Sequence, residues 1–200
     1  MKYIIMADGN GTRWNNSLGI PKHLIKINDE VILHRAVRLI KKFDASAEII
    51  ITSHDERYEV EGATRYEPKN NVLELDRFTE ELIEDNICFI YGDTYYEDSD
   101  MKSIVEHCFN EDIMFYGNKK SIVAIKINNS QIFQQHINNV RELFLSKDIS
   151  KCIGWQVYAS YVNGDFENKE IKYNFVTLDD KTTDFNSYED YVANTGITND

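Results

Sequence analysis

Three short runs of apolar, largely β-branched residues mark the first half of the chain: KYIIM from Lys2, EIIIT from Glu48 and ICFIY from Ile87. Each ends at a loop signal, which predicts strands buried on both faces of a parallel sheet. Between them the period changes to that of a helix. Ile32, Leu33, Ala36, Val37, Ile40 and Phe43 form one apolar stripe, and Val72, Leu75, Phe78, Leu82 and Ile83 form the next. A β-α-β-α-β start with right-handed crossovers builds a sheet covered by helices on both sides. The second half reads differently. Ile122 to Ile127 alternates like a half-buried strand, Ile132 to Phe144 carries a helical stripe through Ile137 and Val140, and Trp155 to Tyr161 and Ile171 to Leu178 read as further strands. The end of the chain, DFNSYEDY from Asp184, reads as a strand end, a Ser-x-x-Asp cap and a short helix. The predicted fold class is α/β: a three-layer α/β/α, Rossmann-like arrangement around a mixed, mainly parallel sheet.

With 200 residues and no Pro/Gly/Ser-rich linker, repeat or long like-charge block, the chain is expected to form one domain. Its net charge of -12 argues against nucleic acid and anionic membranes as partners. The charge is unevenly spread. Residues 1–42 hold eight Lys/Arg and three acids, whereas residues 43–200 hold fourteen and thirty-one. Arg35, Arg38, Lys41 and Lys42 fall on the first helical pattern and read as its solvated face, leaving Arg13 and Lys22, with Lys26 nearby, as a local positive site. Such a site can hold a compact anion on an acidic protein, because distant carboxylates are screened over roughly 8–10 Å. Cys88, Cys108 and Cys152 show no CxxC spacing, so neither a disulfide framework nor a zinc ribbon is indicated. The opening apolar run is too short for a signal peptide, and no stretch approaches the roughly 18 residues of a membrane span. A reducing, cytoplasmic setting is expected.

The chemistry concentrates in ADGNGTRWNNSLGIPK, Ala7 to Lys22. A loop this long inside a compact domain is usually functional. Gly9 and Gly11 remove side chains where backbone amides can close around phosphate oxygens. Arg13 offers a bidentate fork and Lys22 a point charge to the same anion. The loop leaves the carboxyl end of the first strand, where open α/β sheets bind ligands. A dinucleotide fingerprint would need glycine where Trp14 stands, and no GxxxxGK[ST] occurs.

The loop resembles the signature of the nucleotidyltransferase superfamily that includes sugar-phosphate nucleotidyltransferases and bacterial choline-phosphate cytidylyltransferases, whose first strand leads into a G-x-G-T-R…P-K loop. Further matches follow in order: IYGDTYY at Ile90 to Tyr96, RYEPKNNVLEL at Arg65 to Leu75, and the terminal TTDFNSYEDY. The resemblance covers residues 1 to about 98 and the end of the chain. It implies a fold of the nucleotide-diphospho-sugar transferase type, with residues 1–109 binding nucleotide, 110–183 binding acceptor, and 184–200 supplying a metal ligand and a terminal helix. It implies that Ala7, Asp8, Gly9, Gly11, Thr12, Arg13 and Lys22 line the nucleotide, that Asn70 or Asn71 contacts the nucleoside, and that Asp93 and Asp184 bind Mg2+. Asp93 has a physical rationale of its own, since an aspartate after a buried strand and a glycine places a hard oxygen ligand on the edge where the Gly9 loop begins. Asp179 and Asp180 are alternatives to Asp184.

The implied activity is transfer of a nucleotidyl group, CMP from CTP, to a phosphorylated small acceptor with release of pyrophosphate. Arg13 and Lys22 would act on the phosphates, and a homodimer is compatible with it. The phrasing GIPKHLI, GWQVY and DTYYEDSD is similar to capsule-locus cytidylyltransferases, which points to L-glutamine phosphate or phosphocholine as acceptor. A sugar 1-phosphate acceptor is the alternative within the class, and a glycosyltransferase of similar fold the alternative outside it. Two positions depart from the family pattern: Asp8, usually Ala or Gly, and Glu74, often Ser. Asp8 can accept from an exocyclic amine of the base, or it can cap the loop's own amides. His23, His54 and the DSD at Asp98–Asp100 are expected to be local rather than catalytic, Cys88 to be core, and Trp155 to pack or to line an acceptor pocket.

Overall fold

The computed structural model describes residues 1–9, 11, 13–15 and 17–196. In chain order it contains β1 (Lys2–Met6), the β2–β3 hairpin (Lys26–Ile27, Glu30–Val31), α1 (Ile32–Phe43), β4 (Glu48–Thr52), β5 (Thr64–Tyr66), β6 (Ile87–Tyr91), β7 (Thr94–Tyr95) and α2 (Asp98–Glu106). There follow β8 (Ile113–Gly117), β9 (Ile122–Ile127), α3 (Ser130–Leu145), α4 (Gly154–Tyr161), β10 (Phe175–Thr177), β11 (Thr183–Asp184) and α5 (Tyr188–Thr195). Seven strands make one sheet in the order β10-β8-β9-β6-β1-β4-β5. Pairing is parallel except at β9, which runs against both β6 and β8. The expected mixed, mainly parallel sheet is therefore present.

The strand periodicity of two divides the core. Tyr3 and Ile5 of β1 face a cluster with Leu33, Val37 and Ile40 of α1 and Met101 and Ile104 of α2. Ile4 and Met6 face the opposite cluster, which contains Phe133, Ile137 and Val140 of α3 and Val157 and Tyr158 of α4. This is the three-layer arrangement. A third, smaller cluster joins Trp14 and Ile25 to Phe185 and Tyr191, so the N-terminal loop and the last helix pack on one another.

Four expectations need correction. Residues 72–83 are not a helix but two short 3-10 turns, Glu74–Arg77 and Glu80–Leu82. Leu75 and Phe78 are buried, but Val72 is 81% exposed. Asp76 takes the backbone N–H groups of Val72 and Leu73 onto its carboxylate, an alternative to helical pairing. Trp155 to Tyr161 is helix α4, not a strand. All residues from Gly154 to Ser160 are buried, so no polar face was available to reveal the helical period. Of Ile171 to Leu178 only Phe175–Thr177 is strand. Finally, β9 is wholly buried rather than half-buried. Its polar-looking residue, Lys126, donates to the carbonyls of Val105 and His107 at the end of α2, both at 3.0 Å.

The basic face of α1 is also less solvated than its pattern implied. Arg35 binds Glu30, Asp98 and the Tyr96 carbonyl, and Lys42 binds Asp98, which ties α1 to α2. Asp100, the other acid of the DSD, accepts from Thr182 Oγ1 and the Asp179 N–H. No helix among the described residues is long and apolar enough to cross a membrane. The three cysteines are free.

Candidate functional site

The carboxyl ends of β1, β4 and β6 converge. Ala7 N–H donates to the Thr52 carbonyl at 3.1 Å, and Gly92 N–H donates to the Met6 carbonyl at 3.0 Å. The approach at Gly92 is too close for any side chain: a Cβ there would lie 2.8 Å from the Met6 oxygen and 3.2 Å from the Ala7 Cβ. Glycine thus allows the turn after β6 to fold over the end of β1, and the next residue, Asp93, arrives buried at that point.

Asp93 meets Lys22. The Pro21–Leu24 segment makes a tight 3-10 turn, and within it His23 hydrogen-bonds Tyr58 Oη through Nδ1 at 3.0 Å. That anchor turns Lys22 inward, where its ammonium donates to Asp93 Oδ2. Burial pushes the Asp93 carboxyl up, but the neighbouring cations Lys22 and Arg77 outweigh it and hold the group at about 2. Burial pushes His23 the same way a hydrophobic pocket does any imidazole, down to about 3, so the ring is neutral.

Asp184 reaches the same place from the far end of the chain. β11 pairs antiparallel with β7, with Asp184 opposite Thr94, and Phe185 N–H donates to the Asp93 carbonyl at 2.9 Å. The Asp184 carboxylate accepts from Ser121 Oγ at 3.0 Å and from Asn186 Nδ2 at 2.5 Å. Asn186 Oδ1 in turn accepts from Arg13 at 2.9 Å. The expected Ser187 cap is present, with Asp190 N–H donating to its hydroxyl and the Asp190 carboxylate accepting from the Asn186 and Ser187 N–H groups. This fixes the start of α5 and with it Asn186.

These residues line three adjoining cavities that form one groove. A cavity of about 810 Å³ is lined by Ala7, Asp8, Gly9, Gly11, Lys22, His54, Asn71 and others. A smaller one of about 220 Å³ shares Gly9, Gly11, Lys22 and Asn71 with it and adds Arg13, Arg77 and Asn186. A third of about 720 Å³ shares Arg13, Arg77 and Asn186 with the second and adds Asp93, Asp184, Trp155 and Lys169. The middle of the groove is cationic, and one end carries two carboxylates.

Of the sequence-predicted residues, Ala7, Asp8, Gly9, Gly11, Arg13, Lys22, Asn71, Asp93 and Asp184 all line this groove. Thr12 lies outside the described residues. Asn70 is turned away, lining a separate cavity with Lys69 and Arg141. Asp179 and Asp180 do not line the groove: Asp180 lies on another cavity, and the Asp179 backbone is held by Asp100. Asp8 accepts from the His54 N–H, from His54 Nδ1 and from Asn71 Nδ2, so it organises its own surroundings. Arg77 was missed. It packs on Gly9, its guanidinium 3.3 Å from where a Cβ would stand, and its only sequence signal was a position two residues past the end of RYEPKNNVLEL. Asn186, Ser121, Lys120 and Lys169 were missed because residues far apart in sequence had to be brought together by β9 and β11.

Among the described residues no group of three His, Cys, Asp or Glu side chains converges on one point. Asp93 and Asp184 nonetheless give two hard oxygen donors on one cavity wall. That is the protein share usual for a magnesium ion, whose remaining positions go to water and phosphate oxygens.

No protein-family model matches the chain, and no curated protein matches its sequence. Solved structures do resemble it. A putative glucose-1-phosphate thymidylyltransferase from Bacillus anthracis superposes with a TM-score of 0.66 at 14% identity, covering 98% of this chain and 94% of that one. The inositol-1-phosphate CTP transferase from T. maritima gives 0.56 at 13% identity, covering 94% and 90%. The Rv0371c protein from Mycobacterium tuberculosis H37Rv, in a complex with manganese, gives 0.55 at 14% identity, covering 98% and 97%. At such identities the likeness is one of fold, and the fold is that of the nucleotide-diphospho-sugar transferases.

Proposed function

We propose that the protein is a magnesium-dependent nucleotidyltransferase that transfers a nucleotidyl group, CMP from CTP, to a phosphorylated small acceptor and releases pyrophosphate. The observation that carries this reading is the groove itself. The cations Arg13, Lys22 and Arg77 and the glycine loop occupy its middle, with Asp93 and Asp184 beside them at one end. Two of the similar solved structures are named as nucleotidyl transferases, one of them for CTP, and a third holds manganese.

The chemistry needs no protein nucleophile. An acceptor phosphate oxygen attacks the α-phosphorus in line, the bond from that phosphorus to the oxygen bridging to the β-phosphate breaks, and the electron pair leaves on pyrophosphate. The chain positions both partners and offsets developing charge. Arg13, fixed by Asn186, binds the departing phosphates. Lys22 exchanges Asp93 for an α-phosphate oxygen, which frees the carboxylate. Asp93 and Asp184 would then hold Mg2+, which when bound neutralises phosphate charge. A triphosphate substrate implies a cytoplasmic setting, and the resemblance to capsule-locus enzymes implies a product used in surface polysaccharide synthesis.

The 720 Å³ end of the groove takes the acceptor. Lys169 sits 5.3 Å over the Trp155 ring, the face a choline ammonium would otherwise use. Lys120 lines the same cavity, and Trp155 Nε1 is a buried donor with no hydrogen-bond partner among the described residues. These features favour an acceptor with an anionic group besides its phosphate, such as L-glutamine phosphate, over phosphocholine. Pyrophosphate release, measured with each of the four triphosphates against L-glutamine phosphate, phosphocholine and sugar 1-phosphates, with Mg2+ and with chelator, tests the proposal. Release that needs triphosphate, acceptor and metal together supports it; silence in every combination overturns it.

A further inference from the structure

The 810 Å³ cavity joins the cationic centre through Gly9, Gly11, Lys22 and Asn71, while Asp93 and Asp184 line only the 720 Å³ cavity, so in the proposed reaction a triphosphate held at the centre extends its nucleoside into the 810 Å³ space. One relationship on that wall carries chemical information. The Asn71 amide nitrogen lies 2.6 Å from the Asp8 carbonyl and 2.9 Å from Asp8 Oδ2. Both partners are pure acceptors, so the nitrogen must be on that side, and both of its hydrogens are used. Asn71 Oδ1, an acceptor only, is left over.

His54 is constrained in the same way. Its Nδ1 lies 3.0 Å from each oxygen of the Asp8 carboxylate, and its backbone N–H donates to Oδ1 at 3.0 Å. A carboxylate accepts and does not donate, so Nδ1 carries the proton, and in the neutral ring Nε2 carries the lone pair. No described residue engages Nε2, and the ring is 55% exposed along the cavity. Arg57 on the same wall is committed to Asp55, at 2.5 and 2.9 Å.

We propose that Asp8 is a positioning residue for base selection: by binding Asn71 and His54 through their donors, it leaves both presenting acceptors to the cavity, which favours cytosine over uracil. The exocyclic N4 amine of cytosine donates two hydrogens; uracil carries a carbonyl oxygen at the same place and would face like groups. Adenine also has an exocyclic amine, so the device sorts the two pyrimidines and not every base. The inference rests on the nucleotidyltransferase reading. It replaces direct contact between Asp8 and the amine, because the Asp8 carboxylate is already occupied.

The test is binding of the four triphosphates to the full chain by calorimetry in the presence of Mg2+, which requires no acceptor, with the ratio of CTP to UTP affinity as the readout. Wild type should bind CTP at least about tenfold more tightly than UTP, the scale of one well-made polar base contact. Asp8→Asn puts an amide donor in place of one carboxylate oxygen, which weakens the hold on His54 Nδ1 and on Asn71 while leaving the bond from Asn71 to the backbone carbonyl of residue 8, so the ratio should fall severalfold. His54→Phe keeps a ring but removes one acceptor, and should lower the ratio severalfold; it carries the test if Asp8→Asn does not fold. A wild-type ratio near one, or an unchanged ratio in the folded variants, overturns this inference while leaving nucleotide binding intact. Failure of all four triphosphates to bind overturns the nucleotidyltransferase reading with it.

Discussion

The ammonium of Lys22 is paired with the carboxylate of Asp93 across 71 residues of sequence, and each side chain is only 7% exposed. Two charges so deeply buried are costly unless matched, and removing one strands the other. The pair is also the meeting point of the glycine loop and the two-carboxylate end of the groove. In the proposed reaction it opens: Lys22 turns to phosphate and Asp93 to metal.

Lys22→Met and Asp93→Asn should each lose about 3–5 kcal/mol of stability in urea unfolding. The double variant Lys22→Met/Asp93→Asn should lie closer to wild type than the sum of the singles, because neither charge is then stranded. Strict additivity would show that the pair is not energetically coupled.

The catalytic share of Lys22 is separable from its structural share. Lys22→Arg keeps the charge but not the geometry of a point cation. If Lys22 acts on the transition state, this variant should stay folded and lower kcat by about tenfold or more with a smaller change in KM for the triphosphate. An unchanged kcat with a raised KM would reduce Lys22 to a binding residue.

Acid should weaken the fold first through His23. Its folded-state pKa is about 3 against 6.5 for the free side chain, because burial disfavours the imidazolium. The unfolded chain therefore takes up the proton first. Stability is full above about pH 6.5 and declines as pH falls toward 3, by roughly 1.4 kcal/mol per pH unit for one proton. Asp93, held at about 2 against 3.8, adds stability that is present above about pH 4 and lost only as pH falls through 2. Urea unfolding at pH 7 and pH 5 should show wild type losing roughly 2 kcal/mol more than His23→Gln; equal losses would place the ionisation elsewhere.

Gly92→Ala puts a Cβ 2.8 Å from the Met6 carbonyl, a backbone atom that cannot swing aside. A loss of about 1–3 kcal/mol is expected from overpacking, together with a drop in activity as Asp93 is displaced. Full activity in this variant would mean that the position of Asp93 is not critical.

Much of this arrangement was legible in the chain. β1, β4 and β6 were visible as continuous apolar runs because a strand buried on both faces has no polar alternation to obscure it, and α1 because one face remained wet. α4 was not, since a helix buried all round shows no period, and its aromatic content mimics a strand. The groove was readable where chemistry sits within one loop, as at Gly9, Gly11, Arg13 and Lys22. It was unreadable where topology does the assembly: nothing in the sequence ties Ser121 of the β8–β9 turn to Asp184, or Arg13 to Asn186. Asn70 and Asn71 were equivalent in sequence, and only the Asp8 carbonyl and carboxylate distinguish them.

Whether the two-carboxylate end of the groove serves a metal-dependent nucleotidyl transfer is tested most directly at Asp184. Pyrophosphate release should be followed against Mg2+ concentration for wild type and Asp184→Asn, which keeps the size of the side chain and the Ser121 contact. Metal-dependent release is expected in wild type, with a requirement for at least about tenfold more Mg2+ in the variant, the scale of losing one charged oxygen ligand. Release that is indifferent to Mg2+, or a variant with an unchanged metal requirement, would contradict that role.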